Sequence, residues 1–282
     1  MMSTVTVGDS YFQDLYLSIQ DDIYSAAKSA KDIQSDFTWS PSMGDVLNTE
    51  IFDLLDCRGF VLVSVETNPN IQEVISWQNV FLGPSMKDRG DDRGGYSTVM
   101  AEKDGKFFVN SSLSQPIHTD EGHTSRFPRY ISLYCETPSL SGGVSTLVSA
   151  EAMIEKLKVN FADRIHQLFN RNAIKVKNVG GFETKNILMR LPDGRTGISY
   201  SPILRELTCD ESIFEMFSNI TKYVHNPDNQ IRFRLARNHL LIVDNCRVLH
   251  GRTRFLASDR RILSRMWFSE CRLNSTLASF TV

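Results

Sequence analysis

Residues 115–124 read QPIHTDEGHT, with His118 and Asp120 two positions apart. On a β-strand, positions i and i+2 project from the same face, so one cation can meet both side chains. A polar turn would carry the same letters without any metal. Two ligands hold a catalytic metal poorly, so the stretch asks for a third. The chain has six histidines. His166 falls in a helical pattern and reads as a surface residue. His225 starts the loop HNPDN, His239 opens a strand, and His123 reads as an exposed neighbour of the pair. His250 differs: it ends the apolar run LLIVDNCRVL and precedes Gly251 directly. Two histidines and one carboxylate on one side of an ion leave three positions open, an arrangement suited to non-haem Fe(II) oxygenases.

An HxD pair alone is common; the residues after His250 strengthen it. In DRRILSRMWF, Arg261 and Arg265 lie four apart on an expected strand and so share a face. A buried arginine on an apolar strand needs an anion, and its planar guanidinium grips a carboxylate with two parallel hydrogen bonds. For one arginine a structural ion pair explains as much. For two on one face, beside a metal-ligand histidine, a carboxylate-bearing ligand explains more.

The rest of the chain sets bounds. Its 282 residues are 41% hydrophobic and 23% charged, with a net charge of −2; this is ordinary for a globule with one sizeable core. No basic block favours nucleic acid. No apolar run approaches the roughly 20 residues of a membrane span, and MMSTVTVGDS has neither the basic nor the apolar part of a secretory signal. The five cysteines are scattered and form no CxxC, which fits neither a disulfide framework nor a thiolate zinc site but suits a reducing, cytoplasmic setting.

The pattern predicts helices over 11–33, from Asn48 as cap through Leu55, over 71–81, over 150–170 and over 211–224. It predicts strands in RGFVLVSV (58–65), KFFVN, RYISLYCE, VSTLV, IRFRLA, HLLIVDN and RILSRMWF, with a PDG turn at 192–194. Residues 83–98, rich in Gly and charge without periodicity, read as a mobile lid. The expectation is one domain spanning 1–282, mainly β, with helices ahead of the β core and inserted within it.

The motifs IHTD, GGVST, VDNCRVLHGRTRF and RRILSR, in that order and spacing, resemble the Fe(II)/2-oxoglutarate-dependent dioxygenases. Within them the chain is similar to the taurine, gamma-butyrobetaine, clavaminate and carbapenem synthase group, over about Phe60 to Phe268. The resemblance implies a double-stranded β-helix, or jelly roll, with His118, Asp120 and His250 as iron ligands. It implies Arg261 as the clamp on the far carboxylate of 2-oxoglutarate, helped by a hydroxyl of the GGVST turn, taken as Thr146 with Ser145 as its rival. O2 is the second cosubstrate, and a C–H bond of a small molecule is oxidised. Because Asp120 keeps the carboxylate that halogenases of this family lack, hydroxylation, desaturation or ring chemistry is expected.

For the substrate, Arg265 is expected to face an anionic group, with Tyr96, Asn110, Gln115 and Arg126 as further contacts. Surface or turn positions explain Tyr96 and Asn110 at least as well, and a solvated charge explains Arg126 better. A carboxylate-bearing or zwitterionic small molecule of specialised metabolism fits, and a homo-oligomer is left open. Two rival readings stand beside this one: a cupin-like metal enzyme using no oxoacid, and a non-catalytic metal or ligand sensor. Neither has a use for the RRILSR strand.

Overall fold

The computed structural model describes residues 3–26, 33–66, 69–87, 94–102, 110–178 and 181–272. Among these the chain is mostly β, with five α-helices. The largest sheet has six strands in a row, ordered Phe37–Trp39, Phe60–Val65, His239–Asp244, Arg126–Thr137, Ile262–Arg272 and Ser85–Met86; a seventh, Ser97–Met100, also pairs with Ile262–Arg272. Only its first pair is parallel. A second sheet orders Ile231–Phe233, Ser145–Ser149, Val248–Arg252 and Gln115–His118. A third joins Thr4–Gly8, Glu206–Asp210, Ile174–Asn178 and Gly181–Lys185, and Leu188–Arg190 with Thr196–Ile198 forms a small hairpin.

The strand Phe60–Val65 shows why its sequence is almost wholly apolar: both of its faces are covered. Val61, Val63 and Val65 pack with Trp39, Ile51, Leu55, Val74 and Trp77, largely from the helices Asn48–Arg58 and Ile71–Leu82. Phe60 and Leu62 point the other way. They join Ile131, Leu241, Val243 and Trp267 of their own sheet to Leu147, Phe233 and Val248 of the second. The two sheets thus close on a shared apolar core, and the IHTD and RRILSR motifs sit on its rim.

Several local expectations need correction. Asn48 does not cap its helix: it is the first helical residue, Leu47 precedes it without a side-chain cap, and the Asn48 Oδ1 accepts instead from Trp77 Nε1 at 2.8 Å. The run 150–170 is not one helix. Ala150–Asn160 stops where Phe161 leaves helical geometry at φ −139°, and His166 falls in a separate 3-10 turn, Ile165–Phe169. The expected lid is partly strand: Ser85–Met86 and Ser97–Met100 are bound to Ile262–Arg272. Its centre, 88–93, lies outside the described residues, as does KFFVN apart from Asn110. His225 is not a loop residue but the buried last residue of the helix Glu211–His225.

Gly59 ends the helix Asn48–Arg58 in the left-handed region at φ 82°, its N–H bonding Leu55 O at 2.9 Å. A Cβ there would lie 2.6 Å from Val248 Cγ2. Gly59→Ala is therefore expected to cost about 2 kcal/mol or more, from left-handed strain and overpacking together. Urea denaturation of the two proteins checks this, and a loss below about 0.5 kcal/mol would contradict it.

Candidate active site

The short strand Gln115–His118 and the strand Val248–Arg252 are antiparallel neighbours, with His118 directly opposite His250. Opposed residues in an antiparallel pair share a face, so the two imidazoles meet, with ring centroids 4.5 Å apart. Asp120 comes two residues past His118, beyond the strand end. Its Oδ1 lies 3.2 Å from His118 Nε2 and 3.6 Å from His250 Nε2. One ligand atom from each residue falls within 4.8 Å of the others, and all three residues are buried.

The surroundings orient each donor. His118 Nδ1 donates to Pro116 O at 2.8 Å, which leaves a lone pair on Nε2, aimed at Asp120. Burial, and then the neighbouring His118, holds His250 below the usual histidine range, so it is neutral near pH 7. Burial alone would raise Asp120, but Arg265 above all, with the polar contacts of His118 and His250, overcomes it and keeps the carboxyl well below its ordinary value. The second oxygen of Asp120 accepts from Trp267 Nε1 at 2.7 Å and lies 3.4 Å from Arg265 Nη1. One oxygen is therefore held by the protein and the other faces the two imidazoles. Two imidazole nitrogens and an ionised carboxylate oxygen, converging within 4.8 Å, suit a divalent first-row metal such as iron.

Beside the triad is a narrow cleft, walled in part by Gln115, Ser145, Arg252, Arg261, Leu263 and Arg265. Arg261 is 5% exposed, and burial pulls its guanidinium down to about 10. Among the described residues no acid lies within ion-pair distance of it; the Phe255 ring sits under it, 5.6 Å to the centroid. Arg252, which no sequence pattern marks, lies on the same ring at 4.9 Å and is lowered to about 9 by burial and by Arg261. Its Nη1 and Nη2 donate to Leu113 O and Ser111 O, fixing the segment ahead of His118.

The remaining candidate residues divide by where they sit. Ser145 stands opposite Arg252 and walls the cleft, whereas Thr146 stands opposite Gly251, on the other face of the strand. The geometry thus favours Ser145 over Thr146 as the hydroxyl near Arg261. Gln115 is at the cleft, its Nε2 3.1 Å from His118 Nε2. Arg265 is at the cleft too, but it leans on Asp120 and on the Trp267 ring, 4.8 Å away. Tyr96 packs instead against the apolar cluster around Trp39 and Trp77. Asn110 binds Glu102 Oε2 at 2.9 Å, and Arg126 is exposed. None of these last three walls the cleft.

Three supports behind the triad give no signal in the sequence. Thr119, between His118 and Asp120, is tied to Tyr200 through its N–H and its hydroxyl. The wholly buried Lys185 donates from Nζ to Gly122 O at 2.5 Å and to Ser199. His225 donates from Nδ1 to Thr221 O and accepts the Ile117 N–H on Nε2 at 3.2 Å. Burial depresses this histidine to about 4. Between pH 6.5 and about 4 the unfolded chain takes up a proton that the folded chain refuses, so stability is lost as pH falls through that window. The loss is at most about 3 kcal/mol. Urea midpoints at pH 7 and pH 4.5 should differ less in His225→Gln than in the wild type; an equal acid loss in both proteins would contradict it.

Two imidazoles and one carboxylate on one side of a buried cleft match the donor set of mononuclear non-haem centres of the facial-triad class. Residues 24–267 match the model of the taurine catabolism dioxygenase TauD, TfdA family, and the chain belongs to that family. It is an enzyme, an iron- and 2-oxoglutarate-dependent oxygenase. Solved structures share its fold. An asparagine oxygenase in complex with Fe(II), 2S,3S-3-hydroxyasparagine and succinate superposes with TM-score 0.64 at 14% identity, covering 91% of each chain. PvcB from Pseudomonas aeruginosa gives 0.61 at 17%, covering 86% of this chain and 90% of its own. The non-haem iron oxygenase OrfP, in complex with Fe and alpha-ketoglutaric acid, gives 0.59 at 11%, covering 91% of each. At these identities the likeness is one of fold. No helix among the described residues is long and apolar enough to cross a membrane.

Proposed function

We propose that this oxygenase acts on a small carboxylate-bearing or zwitterionic molecule, a free amino acid or close relative, in specialised metabolism, with His118, Asp120 and His250 as the iron ligands. The observation that carries the reading is Arg261: a buried guanidinium on the wall of the triad's cleft, with no acid within ion-pair distance among the described residues. A buried cation of this kind needs an anionic ligand, and the far carboxylate of 2-oxoglutarate answers it, with the Ser145 hydroxyl as second donor. The seven- and four-stranded sheets are then the two walls of a double-stranded β-helix, and 1–282 form one domain working in the cytoplasm.

When bound, the iron supplies oxidative chemistry, in which 2-oxoglutarate and O2 are converted to succinate and CO2 as a substrate C–H bond is oxidised. The chain's own residues bind, orient and exclude water. Trp267 and Arg265 hold the outer oxygen of Asp120, so only one faces the imidazoles. Leu263 and Val99 give the cleft an apolar wall, which strengthens the grip of Arg261 by keeping water out. Arg265 adds positive charge beside Asp120, where a substrate carboxylate is attracted. The amino-acid reading is supported by the asparagine oxygenase and by OrfP, seen with (3S)-hydroxy-L-Arg; an isonitrile synthetic pathway is the setting given for PvcB. With Asp120 in place, hydroxylation, desaturation or ring chemistry is favoured over halogenation. The rival readings without an oxoacid leave Arg261 without a purpose.

The test is an anaerobic titration of the apo-protein with Fe(II) and 2-oxoglutarate. The weak visible charge-transfer band of the chelate should appear in wild type. Its absence, together with no succinate release from any amino acid tried, would overturn the reading.

A further inference from the structure

We infer that Asn245 is a positioning residue for the metal centre: its side-chain amide fixes the backbone of Asp120 and thereby sets the affinity of the triad for its metal. The inference rests on the triad of His118, Asp120 and His250 being the metal site.

Asp120 is the one ligand of the three that no sheet holds. His118 and His250 face each other in a strand pair, but the strand Gln115–His118 ends before Asp120. The backbone of Asp120 is gripped instead by one side chain. Asn245 Oδ1 accepts the Asp120 N–H at 2.8 Å, and Asn245 Nδ2 donates to Asp120 O at 3.1 Å. The same Nδ2 donates to Pro128 O at 2.9 Å, and the N–H of Asn245 donates to Arg129 O at 2.8 Å. The amide is fully buried, so neither donor nor acceptor has water as a substitute, and each bond lost leaves an unpaired polar group. An amide offering a donor and an acceptor side by side is the side-chain copy of a strand partner. No other uncharged side chain of that size pairs both backbone groups of one residue in this way.

The position of Asn245 adds a second consequence. It stands five residues ahead of His250 in the same segment. A closed ring therefore runs from Asn245 along the chain to His250, across the strand pair to His118, along the chain to Asp120, and back through the amide to Asn245. Each ligand lies on this ring. Breaking the amide link frees Asp120 while leaving the two histidines opposed. The expected result is a weaker and less selective metal site on an intact sheet.

The experiment reads Mn(II) binding to metal-free protein by the loss of the free-ion electron paramagnetic resonance signal, so it does not depend on turnover. Asn245→Ala should raise the Mn(II) dissociation constant about 10- to 100-fold, the usual effect of removing a group that orients a metal ligand. Asn245→Asp fills the same space and keeps the acceptor for the Asp120 N–H, but sets an oxygen against the two carbonyls. It should weaken Mn(II) in the same direction, and it serves if the alanine variant fails to fold. Asp244→Asn is the control. Asp244 holds Arg129 and the Cys246 N–H in the same turn without touching Asp120. It should lower the melting temperature while leaving Mn(II) affinity within about twofold. Wild-type affinity in a folded Asn245 variant would overturn the inference, and so would an equal loss in Asp244→Asn. A wild type that binds no Mn(II) would overturn the triad itself, a different result from either.

Discussion

His118→Ala, Asp120→Ala and His250→Ala should each abolish tight Fe(II) binding and all turnover while leaving the sheets folded. The three donor atoms converge within 4.8 Å, and removing one leaves two ligands for an ion that needs three protein contacts to compete with water. The alanine variants should keep the wild-type far-ultraviolet circular dichroism, because these side chains lie on the rim of the core and not within its apolar clusters. Of the three, Asp120→Ala should disturb most besides iron: it leaves the indole N–H of Trp267 without its acceptor and removes the anion beside Arg265, at a cost in stability of about 1–3 kcal/mol. Iron content by elemental analysis after reconstitution decides the matter. Wild-type stoichiometry in His250→Ala would remove that residue from the ligand set.

Arg261→Leu should raise the 2-oxoglutarate KM by about a hundredfold to several thousandfold. Breaking a buried charge pair typically costs about 3–5 kcal/mol, and each 1.4 kcal/mol is about tenfold. Arg252 does not compensate, because both its terminal nitrogens hold the backbone at Leu113 and Ser111. Arg265→Leu should act differently. The residue lies against Asp120, so its loss should loosen the carboxylate and weaken substrate binding, while 2-oxoglutarate binding is spared. Steady-state kinetics with succinate as the readout separates the two variants. Equal loss of 2-oxoglutarate binding in both would collapse the distinction between the arginines.

The donors of the site are legible in the sequence because their spacing is local or their company is specific. His118 and Asp120 advertise a shared face by being two apart, and the RRILSR strand announces anion chemistry beside His250. What is not legible depends on pairing across the chain. Asn245 meets Asp120 over a separation of 125 residues, Trp267 meets it over 147, and His225 reaches Ile117 over 108. No local pattern carries such information. The choice between Ser145 and Thr146 is not legible for a related reason. Alternation says that the two hydroxyls lie on opposite faces, but which face is inward is decided by register against Val248–Arg252. The strand runs are readable from apolar alternation and β-branching. The helical pattern from Ala150 overruns the helix itself, because Phe161, Ile165 and Leu168 continue its periodicity after the backbone has left it.

The direct opposition of His118 and His250 has a bearing on how the molecule reaches its native state. These positions are 132 apart in the chain (118 to 250), and an unfolded chain pays an entropic toll to bring such distant points together. On the proposed ligand set, the unfolded chain would offer iron only the local pair His118 and Asp120, without the distant His250. A sheet that closes one residue out of step would carry His250 to the opposite face of its strand, leaving His118 without its partner. With the proposed ligand set, metal uptake would act as a proofreader of strand registration: it would reward only the aligned chain, by mass action on the finished state.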